Sequence, residues 1–340
     1  MRISSIDFFR VIAIFAIILN HTSPFGGSNN IFFETLYIVI SQSTRFAVPF
    51  FLTVAGYFYG NKLLTGTLPI IAFKTYFRRL FPIFLIWSFI YMILPTNIKK
   101  QVLQSGLWEA SYQKITTLLS DPVTLLFEGS RGHLWFLISL LISLGIITLL
   151  IKYDKKHIII PLALALYFFG LIGGSYAQTP FGLDISFNTR NGPFFSTLFV
   201  AVGWYFSYTK HVIKPLHALS ILLLGVFMHV LEVSMLWKLY SVPPLRHDYL
   251  LGTLFCGVGL TLFLLSQPNL FINSRITMWA KYTLGIYVSH MLIIDILTPF
   301  ERIIPFPLWD IFYPLVIFFL SLYLVYILSK FRILKHTVAY

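Results

Sequence analysis

Arg10 and His21 stand eleven residues apart in SIDFFRVIAIFAIILNH, residues 5–21, a stretch that is otherwise almost wholly apolar. A guanidinium is a permanent cation whose planar fork fits phosphate or carboxylate oxygens. An imidazole accepts a proton, or acts as a nucleophile, near neutral pH. On a helix the two fall on one face, offset by about 20° and separated by about 16 Å of rise. Asp7, three residues before Arg10, is placed to pair with it. Without chemistry, Arg10 is a snorkelling anchor and His21 an interfacial histidine bonded to Asn20 or a carbonyl. With chemistry, the two line one path through an apolar layer.

An ionisable group inside a span costs about 2.5–3.5 kcal/mol on insertion scales, so each further example is a functional candidate. Arg45 lies in QSTRFAVPFFLTVAGYFYG, residues 42–60, too deep to snorkel easily. Pro49 beyond it removes a backbone donor and predicts a kink with a freed carbonyl. Gly56 and Gly60 form a small-xxx-small pair, read as a helix contact. Lys74, Arg78 and Arg79 in FKTYFRRLFP form a basic approach to the next span, suited either to anionic lipid or to a phosphate-bearing substrate. His133 follows Arg131 and precedes Trp135 in EGSRGHLWFLISLL, and His290 follows Tyr287 in KYTLGIYVSHMLIID. A histidine in mid-span points inward in preference to lipid.

The elements that must position these residues follow from composition. The 340 residues are 57% hydrophobic and 11% charged, with a mean hydropathy of +0.81, which excludes an ordinary soluble domain. The first apolar run lacks a small-residue cleavage site and is read as a span, not a signal peptide. Ten stretches qualify as membrane helices, about 20 residues being needed to cross: near 6–25, 36–60, 80–95, 133–151, 158–174, 193–208, 215–235, 250–266, 282–299 and 309–329. With the N-terminus inside, the inner connections hold twice as many Lys and Arg as the outer ones. That bias places both termini in the cytoplasm. The net charge of +13 thus reports topology, and no nucleic-acid partner is expected. The longest connection, about 97–132, is read as an external loop. The fold expected is all-α and polytopic, with about ten transmembrane helices in one membrane-embedded domain, 1–340, and no appended soluble domain. Cys256 is the one cysteine; it is read as a core residue and rules out an intrachain disulfide. There is no P-loop, GxSxG elbow, HExxH or metal-ligand spacing, so no metal is expected.

Taken together, R-x10-H at Arg10 and His21, the RFAVPFF…GY stretch from Arg45 to Tyr57, Arg78-Arg79, H-x-W at His133 and Trp135, and LGIYVSH ending at His290 resemble the membrane-bound acyltransferase 3 family. The resemblance runs through nearly the whole chain, in order. It is nearest to the stand-alone O-acetyltransferase type, of the kind that acts on enterobacterial common antigen. One departure is Val54-Ala55 before Gly56, where a Ser or Thr is common.

The resemblance implies an O-acyltransferase of the bacterial inner membrane. It would carry an acetyl or other short acyl group from cytosolic acyl-CoA to a hydroxyl of a surface polysaccharide or lipid-linked glycan. Acetyl-CoA is then a donor substrate and no cofactor is tightly bound. The roles implied are His21 as general base or transient acyl carrier, and Arg45, His133 and His290 at the reacting carbonyl. Lys74, Arg78, Arg79 and Arg10 would hold the donor. The acceptor, the acyl length and the oligomeric state are left open. The same arginines also suit a transporter or flippase for a small anion or lipid-linked sugar, or a structural partner in a polysaccharide assembly.

Overall fold

The computed structural model describes residues 2–94, 98–209, 213–300, 305–332 and 334–338; the loop cations Lys210 and Arg302 lie outside them. Among the described residues all regular structure is helical. In chain order the helices are α1 (Ser4–Thr22), α2 (Ile31–Ser43), α3 (Ala47–Leu64), α4 (Pro69–Ile93), α5 (Ile98–Ser120), α6 (Pro122–Glu128) and α7 (Trp135–Lys152). Then come α8 (Ile159–Ile172), α9 (Pro193–Thr209), α10 (Pro215–Tyr240), α11 (Leu251–Ser266), α12 (Thr283–Leu297), α13 (Leu308–Lys330) and α14 (Lys335–Val338). Among the described residues seven helical runs are long and apolar enough to cross a membrane, and each of the ten apolar stretches lies largely on helical structure, the one near 36–60 on two helices. The protein is an all-α polytopic membrane protein.

Two expectations are corrected. The connection after residue 97 is not a loop but holds α5 and α6. Asp121 starts α6 by accepting the Thr124 backbone N–H at 3.0 Å, with Pro122 in the first turn. A short side-chain acceptor followed by Pro is a strong helix start. The span carrying Arg45 is not one kinked helix either. A single 3-10 turn, Thr44–Phe46, separates α2 from α3, and Pro49 sits in the first turn of α3. There its missing N–H costs nothing, because first-turn donors have no intrahelical partner.

The chain forms two compact units. The first comprises Met1–Ala13, Gln42–Arg78 and Ser139–Thr277. Its helices meet at small residues, as membrane helices do when lipid leaves packing as the main driving force. A Cβ on Gly56 would strike the Val200 carbonyl of α9, and one on Gly60 would strike Ser207 Oγ of the same helix. The small-xxx-small reading is thus a real α3–α9 seam. Polar pairs pin the same layer: Tyr59 Oη to Thr148 Oγ1 at 2.6 Å, and Ser143 Oγ to Ser196 Oγ at 2.6 Å. Glu232 of α10 caps α11, its carboxylate accepting the N–H of Leu251 at 3.1 Å and of Gly252 at 2.6 Å. A negative charge there offsets the positive end of the helix dipole. Gly56→Leu is expected to lower the thermal midpoint of the purified protein by the equivalent of about 1–3 kcal/mol, the cost of overpacking. A midpoint equal to wild type would mean the two backbones do not meet there.

The second unit comprises Ile14–Ser41, Arg79–Ile138 and Met278–Tyr340. In it α12 packs on α13 and α13 on α14. Trp87 of α4 donates to the Thr337 carbonyl at 2.8 Å, and Asp310 at the start of α13 accepts the Phe25 N–H at 2.7 Å. Ring contacts among His21, Tyr91, His133 and His290 bring the end of α1, the latter part of α4, the turn before α7 and α12 around one place.

Candidate active site

That place holds three imidazoles. The His133 and His290 ring centroids are 5.1 Å apart, His21 lies 5.2 Å from His290, and His21 lies 6.4 Å from His133. His133 and His290 are 5% and 0% exposed, whereas His21, at the last turn of α1, is exposed. The accessible ring therefore rests on two buried ones.

Hydrogen bonds fix how the buried rings face. His290 Nδ1 lies 2.6 Å from the Tyr287 carbonyl and 3.2 Å from that of Ile286. A carbonyl only accepts, so Nδ1 carries the proton, and in the neutral ring Nε2 carries the lone pair. His290 Nε2 is buried with no hydrogen-bond partner. By the same argument His133 donates from Nε2 to the Val288 carbonyl at 3.4 Å, and its buried Nδ1 holds an unshared lone pair. Two ring nitrogens are thus buried with their lone pairs unshared, and an unused buried acceptor is costly and rare.

The scaffold behind the rings is polar and tightly tied. Tyr91 of α4 donates to the Val288 carbonyl at 2.7 Å and accepts from the Leu292 N–H at 3.0 Å. Its hydroxyl is thereby spliced into the backbone ladder of α12 at the turn that carries His290. Tyr287 Oη donates to the His133 carbonyl. Arg131 pairs with Asp295 at 2.9 Å, both side chains being under one-fifth exposed. Tyr91→Phe removes the splice and leaves the Leu292 N–H and Val288 carbonyl to find each other. It is expected to cost about 1–2 kcal/mol of stability and to lower turnover more than donor affinity. Equal loss in both would place Tyr91 outside the positioning of His290.

Lys114 of α5 donates to the Tyr91 and Leu94 carbonyls, which end α4. Burial first, and the nearby Arg131 second, hold its pKa down to about 8, with Asp295 opposing. The folded state therefore prefers neutral Lys114 relative to the unfolded chain, which binds the proton up to its ordinary pKa. Between about pH 8 and pH 10.5 the unfolded chain holds more protons, so stability rises with pH across that window. Chemical denaturation of wild type against Lys114→Met across that range is expected to show this rise in wild type alone.

Of the remaining predicted residues, Arg10, Arg45, Lys74 and Arg78 belong to the first unit and Arg79 to the second. Arg10 belongs to the first unit, where Asp7 lies 3.7 Å from it, as expected, and also holds Arg2 at 2.9 Å. Arg45, also of the first unit, pairs with Asp248 at 3.7 Å. Lys74, Arg78 and Arg79 are exposed along α4. Sequence reasoning passed over Asp295, Tyr91 and Lys114, and gave Arg131 no role. Asp295 carried a signal, being a carboxylate in the apolar stretch that holds His290. Among the described residues no three His, Cys, Asp or Glu side chains are arranged to hold a metal ion.

The fold and these residues define a class: a polytopic helical membrane protein with a cluster of three imidazoles, two of them buried. Residues 3–330 match the family model described as an acyltransferase domain, and the chain belongs to this acyltransferase 3 family. It is 28% identical over 328 residues to an amino-acid racemase of Enterococcus faecalis, an alignment covering 89% of this chain and 43% of that protein. It is 26% identical over 215 residues to a serine/alanine racemase of Enterococcus gallinarum, covering 60% of this chain and 29% of that protein. The chain thus spans less than half the length of these curated relatives. No solved structure matches.

Proposed function

We propose that the protein is an integral O-acyltransferase of the cytoplasmic membrane, moving an acyl group, most simply acetyl, from acyl-CoA to a hydroxyl of a surface or lipid-linked polysaccharide. The observation that carries this reading is the exposed His21 backed by two buried rings with unshared lone pairs. In the reaction an acceptor hydroxyl gives its proton to the His21 ring while its oxygen attacks the thioester carbonyl. The C–S bond then breaks, and the CoA sulfur leaves with the proton that the imidazolium returns. If His21 instead carries the acyl group briefly, the same proton moves occur in two halves.

The tautomers support a different part for His133 and His290 in this reading from the oxyanion role implied by family resemblance. Their N–H groups are given to backbone carbonyls, and the remaining lone pairs at His133 Nδ1 and His290 Nε2 can accept a hydrogen bond, which suits orienting the charged form of His21. Arg45 pairs with Asp248 in the first unit, and its part at the reacting carbonyl remains what the family resemblance implies. Lys74 and Arg78, four residues apart on one face of α4, with Arg79 beside them, offer forks and charge for the donor's phosphates.

The test is transfer of labelled acetyl from acetyl-CoA into the glycan fraction of membranes that carry the protein. Label above empty membranes supports the reading and identifies the acceptor. A folded protein that moves no label, with native glycan present and across short acyl-CoA donors, removes it and leaves a carrier. Racemisation of L-serine and L-alanine is measured beside it. The relatives named for that activity are more than twice as long as their matched part, and racemisation by this chain alone would replace the acyltransferase reading.

A further inference from the structure

His21 stands in the last turn of α1, and the turn that follows it is held in an unusual conformation. Ser23, Phe25 and Gly27 have left-handed backbones, with φ of 47°, 65° and 77°. Glycine adopts that region readily, whereas a bulky side chain enters it only where the surrounding structure compels it. Phe25 is compelled from two sides. Its ring is 6% exposed, stacks on Phe33 with centroids 5.2 Å apart and meets Phe306 edge-on at 6.3 Å. Its N–H is given to Asp310 Oδ1 at 2.7 Å, across 285 positions of sequence. A carboxylate is the strongest acceptor a side chain offers a backbone N–H.

The turn is continuous with the helix that carries the histidine. Ser23 donates its N–H to the Leu19 carbonyl at 3.2 Å, and Gly26 donates to the Ser23 carbonyl at 2.9 Å. On the other side of His21, Ser41 of α2 donates to Asn20 Oδ1 at 3.2 Å. The histidine is therefore flanked by two tethers to other helices. Helix ends fray when nothing holds them, and a frayed last turn would swing the exposed His21 ring away from His290, whose centroid lies 5.2 Å from it.

We propose that Asp310 is a positioning residue for His21. By holding the strained turn at Phe25 it fixes the last turn of α1, and so the direction in which the imidazole points. The role rests on the reading of His21 as the acid–base group and adds a residue, on a different helix, that touches neither substrate nor reacting atoms. What Asp310 supplies is an acceptor oxygen at the right reach. An amide at position 310 keeps that oxygen, and an alkyl side chain does not.

Acetyl transfer from acetyl-CoA is measured for wild type, Asp310→Asn and Asp310→Leu. Beside it, labelling of histidines by diethyl pyrocarbonate is followed by mass spectrometry on the folded, purified full chain. Asp310→Leu is expected to lower turnover by about 10²-fold, the scale of displacing a reacting group by about 1 Å, with the KM for acetyl-CoA unchanged. Asp310→Asn should retain most of the turnover. In Asp310→Leu, His21 leaves its rest against His290 and should be labelled faster relative to the exposed His157; in Asp310→Asn the ratio should match wild type. Where Asp310→Leu fails to fold, Asp310→Ser replaces it, since serine suits a helix start but stops short of the Phe25 N–H. Wild-type turnover with a wild-type labelling ratio overturns the proposal, even where the variant melts early, because Asp310 then serves stability alone. Equal loss in Asp310→Asn and Asp310→Leu overturns it as well. If wild type transfers no label, the acyl-transfer reading falls by itself, and the labelling ratio still decides whether Asp310 sets the position of His21.

Discussion

Membranes carrying His21→Ala are expected to insert normally and to transfer acyl groups at a rate lower by about 10²–10⁴-fold, the contribution of a placed acid–base group. The size follows from position. His21 is the exposed member of the imidazole cluster, so it is the ring an acceptor hydroxyl can reach. The expected stability change is small, since the ring ends α1 and fills no core space. His290→Gln separates support from chemistry. It keeps a polar side chain beside the Tyr287 carbonyl but loses the basic Nε2, so turnover should fall while the protein stays folded. Near-wild-type transfer by His21→Ala would remove His21 from the reaction.

The second large effect concerns Asp295. Asp295→Ala strips Arg131 of its 2.9 Å partner and leaves a shielded guanidinium uncompensated, at a cost approaching about 3–5 kcal/mol. Lys114 loses the carboxylate that favours its charged form as well. A domain has only about 5–15 kcal/mol in hand, so the variant should accumulate poorly and melt early. The double variant Arg131→Met with Asp295→Leu removes both charges at similar volume and is expected to recover most of the folding. Recovery of folding without activity would show that the pair sets the field around the imidazoles. Recovery of both would make it structural alone, and no recovery would mean the destabilisation lies outside the pair.

How much of this the chain discloses as text depends on the range of each interaction. The imidazoles were legible because an ionisable side chain inside an apolar stretch is anomalous by itself, and the small-residue seam of α3 was legible because its spacing is local. Asp295 lay in the stretch around His290 that drew attention, yet reads there as a residue near the end of a span. Its meaning comes from Arg131, 164 positions away. Tyr91 reads as an interfacial aromatic, and nothing nearby says its hydroxyl enters another helix. Arg45 was placed inside a continuous span because hydropathy cannot see the 3-10 turn that interrupts it. The polar composition of α5 concealed a helix in what read as a loop.

The hydroxyl of Tyr91 bears on how the protein is made. It comes from a residue synthesised 197 positions before Val288, so the turn of α12 that aims His290 is completed only after a much earlier segment has docked on it. A chain still emerging into the bilayer, or one whose α12 has slipped away from α4, holds its histidines without the register that makes them useful. Competence to react is in this way tied to finished assembly, and an unassembled chain is poorly equipped to waste activated thioester on water.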